Sequence, residues 1–314
     1  MTLPVLRIGD RIAHFPFVQG GMAVRISTAR LAAAVAEAGG VGTIAGTGMS
    51  PDELRSEIRE ARRLTRGIIG VNVLFAATQF AHLVKTAIME KVDFVVSGAG
   101  FSRDMYVWGR EGGVPILPIV SSARLARAAE RLGASAIVVE GAEAGGHLGT
   151  DRPIREILPE VRRVTSLPVI AAGGIADGRE ATDVFGLGAD GAQVGTRFIA
   201  SEECTAPHEF KMMHVATKPD DIVLIDSPVG LPGRAIRNPF WERVTAGERL
   251  EPSRCRGCLK QCSHRFCILD ALNRAQQGDV RSGLVFSGLS ALKIRSILPV
   301  REIMRLLVAG EAEC

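Results

Sequence analysis

The sequence predicts an α/β protein built as a (β/α)8 barrel with a C-terminal lid. Three observations carry that prediction. Eight short apolar runs, rich in β-branched residues, recur through about the first 200 residues. Longer amphipathic stretches lie between them, several opened by an N-cap residue or a proline at the first helical position. No G-x-G-x-x-G follows the first run, which weakens the alternative of a Rossmann-like doubly wound sheet.

Taken in order, the predicted strands are FVQ (17–19), VGTIA (41–45), IIGVNVL (68–74), DFVVSG (93–98), PILPIV (115–120), AIVVE (136–140), PVIAA (168–172) and GAQVG (191–195). Predicted helices begin near Ser27, Pro51, Thr78, Ser102, Ser121, Ile154 and Asp177. Beyond the barrel, ILDALNRAQQGDV (268–280) and ALKIRSILPVREIMRLLVAG (291–310) space apolar residues as helices do, with a break at Pro299. These are expected to cover the barrel mouth and pack back on its side. The predicted division is a barrel over 1–217 and a cap over 218–314.

Bulk properties agree with this architecture. A chain of 314 residues that is 46% hydrophobic and 23% charged can bury a sizeable core. Thirty-five glycines against 5% aromatics suit tight loops joining aliphatic strands. The net charge of +4 resides in the tail, since 251–314 holds ten Lys/Arg and six Asp/Glu while the first 250 residues hold twenty-eight of each. That balance reads as a solvated basic face or as a preference for an anionic substrate such as a phosphopantetheine thioester. No aromatic-interleaved basic stripe points to nucleic acid, and no apolar run approaches membrane-spanning length. The reading is a cytoplasmic protein, with a homodimer possible, whose six cysteines are reduced or metal-bound.

In such barrels chemistry gathers where strands end. The predicted strands 7 and 8 run into AAGGIADG (171–178) and VGTRF (194–198). Gly173, Gly174, Gly195 and Thr196 there fit a phosphate site, because glycines admit backbone N–H groups and a short helix adds its positive end. Strand 6 runs into EGAEAGGHLG (140–149). His147, with an ordinary pKa near 6.5, can take a proton from a carbon acid or give one back. Gly145 and Gly146 remove side chains that would block a substrate. Glu143 reads as a loop acid or an orienter of His147, and His14, His82, His208 and His214 read as structural.

Taken together and in this order, VQGGM (18–22), LAAAVAEAGGVGTIAG (31–46), GVNVL (70–74), EGAEAGGHLG, LPVIAAGGIADG (167–178) and GADGAQVGTRF (188–198) resemble the nitronate monooxygenase family, formerly called 2-nitropropane dioxygenases. The pattern is shared with the flavin-dependent enoyl-acyl-carrier-protein reductases of the second type, and it extends over about residues 15–240 through GLPGRAIRN (230–238). The resemblance implies a TIM barrel that binds FMN. Gly21 and Met22 would line the flavin and Asn72 would hydrogen-bond its ring. Gly173, Gly174, Gly195 and Thr196 would hold the phosphate, with Ala172 beside them. Glu140, Gly145 and Gly146 are further neighbours of the flavin, and Gln19 is either a flavin contact or a buried structural residue. His147 matches the catalytic histidine.

Two reactions follow from that resemblance. In one, a nitronate, or a nitroalkane deprotonated by His147, is oxidised with dioxygen to a carbonyl compound and nitrite. In the other, NAD(P)H supplies hydride to the β-carbon of an enoyl thioester and His147 protonates the α-carbon. A flavin- or phosphate-binding subunit without turnover is the alternative outside enzymology.

Residues 255–267, CRGCLKQCSHRFC, bring Cys255, Cys258, Cys262 and Cys267 together as C-x2-C-x3-C-x4-C. Clustered thiols in a reducing compartment suggest metal. The C-x2-C-x3-C part is similar to the iron–sulfur motif of the 2,4-dienoyl-CoA reductase group, so [4Fe-4S], structural zinc (with His264 a substitute ligand) and reduced cysteines without metal all stay open. Cys204 reads as a packed thiol and Cys314 as part of a loose terminus.

Overall fold

The computed structural model describes residues 3–251 and 255–313. Cys314 therefore lies outside the described residues. Eight parallel strands close into a barrel: β1 (Phe17–Gln19), β2 (Val41–Ala45), β3 (Ile68–Leu74), β4 (Phe94–Gly98), β5 (Ile116–Val120), β6 (Ile137–Glu140), β7 (Val169–Ala172) and β8 (Gly191–Val194). β8 pairs back to β1 through Val194 and Gln19. Each of the eight predicted runs is a strand, to within one residue at its ends.

Period-two alternation makes two cores from one sheet. Val18, Val41, Phe94, Val96, Leu117, Val138 and Ile170 fill the barrel interior. Their neighbours in sequence, among them Val95, Ile137, Val139 and Val169, face outward into the layer shared with the helices. An N-terminal hairpin, Arg7–Ile8 with Arg11–Ile12, adds Leu6 and Ile8 to the interior, and its Gly9 turn rests on Pro115 at the start of β5. The N-terminal end of the barrel is thus plugged, and chemistry is left to the other end.

The barrel helices are α1 (Ala29–Glu37), α2 (Pro51–Leu64), α3 (Phe80–Met89), α4 (Arg103–Gly112), α5 (Ala123–Leu132), α6 (Ile154–Arg162), α7 (Gly178–Gly186) and the short α8 (Thr196–Ile199). Ser50, Ser102 and Ser122 accept N–H bonds from Glu53, Met105 and Leu125, and Asp177 forms a capping box with Glu180. Helix starts deviate from expectation where the predicted cap has another partner. Ser27 Oγ bonds to Gln19 Nε2, Gly20 O and Met22 N, so α1 starts only at Ala29. Thr78 Oγ1 donates to Gly257 O, and α3 starts at Phe80. Ser121 donates to Gly149 O and leaves the cap of α5 to Ser122.

After α9 (His208–Val215) the chain builds the cap. Strands β9 (Ile222–Asp226) and β10 (Pro232–Ile236) form an antiparallel pair. Helices α10 (Pro239–Thr245) and α11 (Ile268–Gln276) close a small apolar core around Phe240, Phe266, Ile268 and Leu284. The last helix, α12 (Val300–Ala309), packs against α1, α7 and α8 on the barrel flank. Arg197 fixes it there: the guanidinium is buried, bonds to Glu313 at 2.7 Å and donates to Ser296 O and Ala200 O. No helix among the described residues is long and apolar enough to cross a membrane.

Candidate active site

All twelve catalytic and cofactor residues named from the sequence line one cavity of about 510 Å³ at the C-terminal end of the barrel. Short strands ending together make this possible, because the residue after each strand is delivered to the same rim.

On one side of the rim, β1 and β3 bring Gly21 against Asn72. A Cβ on Gly21 would come within 2.3 Å of Asn72 Cβ, so only glycine allows the approach. Asn72 Nδ2 donates to Gly21 O at 3.1 Å, while Asn72 Oδ1 is buried without a partner. Asn72 lines the cavity, and a buried acceptor without a protein partner invites a ligand donor. Across the mouth, Gly173 and Gly174 end β7 with φ of 105° and 77°, and Gly195 and Thr196 end β8. Their backbone forms a side-chain-free rim opposite Asn72. Gly195 faces the Met22 side chain, with Sδ 3.8 Å from where a Cβ would stand. The orphaned acceptor, the bare glycine rim and the cavity between them fit FMN: the glycines and Thr196 would hold its phosphate and Asn72 its ring.

Gln19 takes no part in the cavity. It is fully buried, its Nε2 donating to Gly20 O and Ser27 Oγ and its Oε1 accepting from Thr43 N, so it belongs to the barrel scaffold.

His147 follows β6 but is positioned by the cap. Gly146 and His147 pair antiparallel with Arg234 and Gly233 of β10, and Leu148 N donates to Pro232 O. The imidazole Nε2 lies 2.8 Å from Ser227 Oγ, and Phe286 stands edge-on to the ring at 5.1 Å. When Nε2 donates to Ser227, the lone pair sits on Nδ1, which has no protein partner among the described residues. Burial pushes the His147 pKa down to about 4, so the ring is neutral at pH 7 and able to accept a proton. Replacing Ser227 with alanine is expected to lower turnover about tenfold or more through loss of ring orientation, with KM little changed. Steady-state kinetics that separate kcat from KM check this.

Gly145 has a reason to be glycine that the sequence did not show. A Cβ on Gly145 would stand 2.5 Å from Gly288 N and 2.6 Å from Ser287 C, so the residue is glycine because cap backbone passes over it. Glu143 does not orient His147. Its carboxylate accepts from Ile154 N at 3.0 Å, at the start of α6. His14, His82 and His208 are exposed, and buried His214 bridges Phe210 O and Phe286 O.

Ser227 was missed by sequence reasoning. It occupies the turn between β9 and β10, held by Ser227 N to Leu231 O and Gly230 N to Ser227 O. The Ser-Pro-Val-Gly run (227–230) signals a turn, but nothing in sequence aims that turn at a residue eighty positions earlier.

Glu140 ends β6 in the cavity, and its pKa is pushed up to about 8 by burial, so it is largely protonated at neutrality. The raised value means that its contribution to stability is full below the unfolded carboxyl pKa and is lost as pH rises through about 8. Glu140→Gln is therefore expected to leave the melting temperature unchanged near pH 4 and to raise it progressively above wild type toward pH 8. Calorimetry across that range checks it.

The four clustered cysteines are free thiols, three half-buried and Cys255 exposed. Among the described residues no three His, Cys, Asp or Glu side chains are arranged to hold a metal ion. Of the four, only Cys258 lines the cavity. Cys204 is a buried packed thiol, as read.

Fold and site together define a (β/α)8 barrel with a cavity at its mouth, rimmed by glycines and lined by a histidine that the cap holds. The family model of nitronate monooxygenase matches residues 8–87 and 74–310, and the chain belongs to that family. The solved structure of FabK from Thermotoga maritima is similar at a TM-score of 0.87 and 37% identity, covering 95% of this chain and 93% of that one. Nitroalkane oxidase from Streptomyces ansochromogenes superposes at a TM-score of 0.81 and 27% identity, covering 95% and 96%. A Mycobacterium tuberculosis relative, (3aS,4S,5R,7aS)-5-hydroxy-7a-methyl-1-oxo-octahydro-1H-indene-4-carboxyl-CoA dehydrogenase, is 33% identical over 239 residues, which is 74% of this chain. The match spans 66% of that relative's own length.

Proposed function

We propose that the protein binds FMN and oxidises nitronates, and nitroalkanes by way of their nitronates, releasing a carbonyl compound and nitrite. The observation that carries the reading is His147: a neutral imidazole, tethered at one nitrogen by Ser227, inside a cavity rimmed for a flavin. Family membership and the similarity to nitroalkane oxidase support it.

FMN, when bound, supplies the electron transfer between substrate and dioxygen. The chain supplies the rest. Gly173, Gly174, Gly195 and Thr196 would hold the phosphate end, and Asn72 Oδ1 would accept from a donor on the ring. His147 accepts the α-proton of a nitroalkane, a step that needs the imidazole unprotonated at the start. Ser227 keeps the ring in place while it does so. The cap, closing over Gly145, excludes bulk water from the substrate.

A second reading, NAD(P)H-dependent reduction of an enoyl thioester, is favoured by the identities themselves. FabK at 37% and the carboxyl-CoA dehydrogenase at 33% are nearer in sequence than nitroalkane oxidase at 27%. Against it stands the low pKa of His147, which would have to carry a proton at pH 7 to act as the acid.

Anaerobic stopped-flow reduction of the flavin separates the two. Rapid bleaching by propionate 3-nitronate, with nitrite release in air, is the expected result. Rapid bleaching by NADH with no response to nitronate would reverse the order of the two readings.

A further inference from the structure

His147 is bounded on two sides, by Ser227 Oγ at its Nε2 and by the Phe286 ring at 5.1 Å. Ser227 is fixed by its own turn. Phe286 lines the cavity, and its ring lies over Gly146, next to His147, and over Gly233, opposite His147 in the strand pair. Cβ atoms on those glycines would stand 3.8 Å from Phe286 Cδ2 and 2.8 Å from its Cε1. A rotation of the 286 peptide would carry the ring off the imidazole.

What holds that peptide is a side chain from the barrel side of the cap. Phe286 bridges to Ala235 of β10 as a non-hydrogen-bonded pair, since the flanking bonds are Ile236 N to Val285 O at 2.9 Å and Ser287 N to Arg234 O at 3.2 Å. The Phe286 carbonyl therefore points away from β10. There it meets His214 Nε2 at 3.2 Å, its hydrogen-bond partner among the described residues. His214 is fully buried on α9, and its other ring nitrogen, Nδ1, lies 3.0 Å from Phe210 O.

Both of these partners are carbonyl oxygens, which only accept, and a neutral imidazole has one N–H to give. Burial holds the His214 pKa below its ordinary value, so at neutrality the ring has that single hydrogen to place. Phe210 O sits inside α9, whose ladder brings it the N–H of the residue four positions on. Phe286 O has no such second donor, and a buried carbonyl left bare is costly. The hydrogen is best placed on Nε2.

We propose that His214 is a positioning residue for the reaction: by donating from Nε2 to Phe286 O it fixes the 286 peptide and, through the Phe286 ring, the orientation of His147. It acts from outside the cavity and touches neither substrate nor flavin. The role presupposes His147 as the base, and it extends the ordered surroundings of that base to α9.

Side-chain length separates this role from packing. In His214→Gln the amide nitrogen stands near the place of Nε2, and in His214→Asn near that of Nδ1, so only glutamine reaches Phe286 O. His214→Gln is expected to keep kcat within about threefold of wild type, and His214→Asn to lower it about tenfold with KM little changed. His214→Met, as long as glutamine but without a donor, should match the asparagine variant and replaces it should that chain fail to fold. In a Phe286→Leu background the glutamine and asparagine variants should be equally active, because the ring through which His214 acts is missing. NMR gives a readout that needs no turnover: the His147 ring protons carry a ring-current shift from Phe286, retained in His214→Gln and altered in His214→Asn. Wild-type protein that oxidises no nitronate would count against the proposed reaction, while the NMR contrast would still test the tie. With Phe286 present, equal kcat for the glutamine and asparagine variants, or a His147 signal that neither moves, would overturn the proposal.

Discussion

Replacement of His147 by alanine is expected to lower kcat/KM for a neutral nitroalkane by about 10²–10⁴-fold while leaving that for a preformed nitronate within about tenfold. The asymmetry follows from the role assigned to the ring. A nitroalkane must lose its α-proton inside the cavity, and among the described residues the neutral base held there by a second side chain is His147. A nitronate arrives already deprotonated. The pH dependence is part of the same prediction. With the pKa pushed down to about 4, the acid limb of the nitroalkane profile should fall near pH 4 rather than at the ordinary histidine value, since the base stays unprotonated until then. Parallel kinetics on the two substrates, from pH 4 to 8, check both halves. Equal loss on both substrates would mean that His147 binds rather than abstracts, and an unchanged rate on both would remove it from the chemistry.

The second large effect concerns a residue with no side chain. Gly145→Ala is expected to destabilise the closed cap by about 1–3 kcal/mol and to cut activity far more than it lowers overall melting. The added methyl would meet Gly288 N at 2.5 Å and Ser287 C at 2.6 Å, and these are backbone atoms that cannot rotate away. The segment at 287–288 must retreat, and it is tied to the site on both sides. Gly288 N donates to Thr196 Oγ1, Leu289 N donates to Glu143 O, and Phe286 packs on His147. Hydrogen exchange should show the cap segments opening while the amides of the barrel strands stay protected. Flavin binding should weaken as well, through Thr196. If the barrel strands open equally, cap and barrel are one cooperative unit and the displacement is global.

Much of this was legible in the sequence because a barrel repeats one local rule. Each buried strand is a short aliphatic run, most helix starts carry a serine, aspartate or proline, and the strand ends are where chemistry collects. FVQ, IIGVNVL and PVIAA announce themselves without reference to anything distant. The glycine rim was legible for the same reason, since AAGG and VGT fall directly after predicted strands.

What could not be read is what depends on contacts between distant parts of the chain. Ser227 meets His147 across eighty residues through a strand pair with only two residues on the β6 side. Gly145 looked like an opening for substrate because the cap backbone above it comes from residues 287 and 288. Glu143 looked like a partner for His147 by adjacency, yet it turns to cap α6. Arg197 belongs to the VGTRF motif, and its ion-pair partner is Glu313, more than a hundred residues later. In each case tertiary packing, which no local pattern reports, decided the residue's partner.

The pairing of Gly146–His147 with β10 also sets an order of events during synthesis. All eight barrel strands leave the ribosome before residues 232–236 do, so for a time His147 has no strand to lie on and no serine to hold it. A fragment ending before β10 is therefore expected to lack a positioned His147 even where its barrel strands fold.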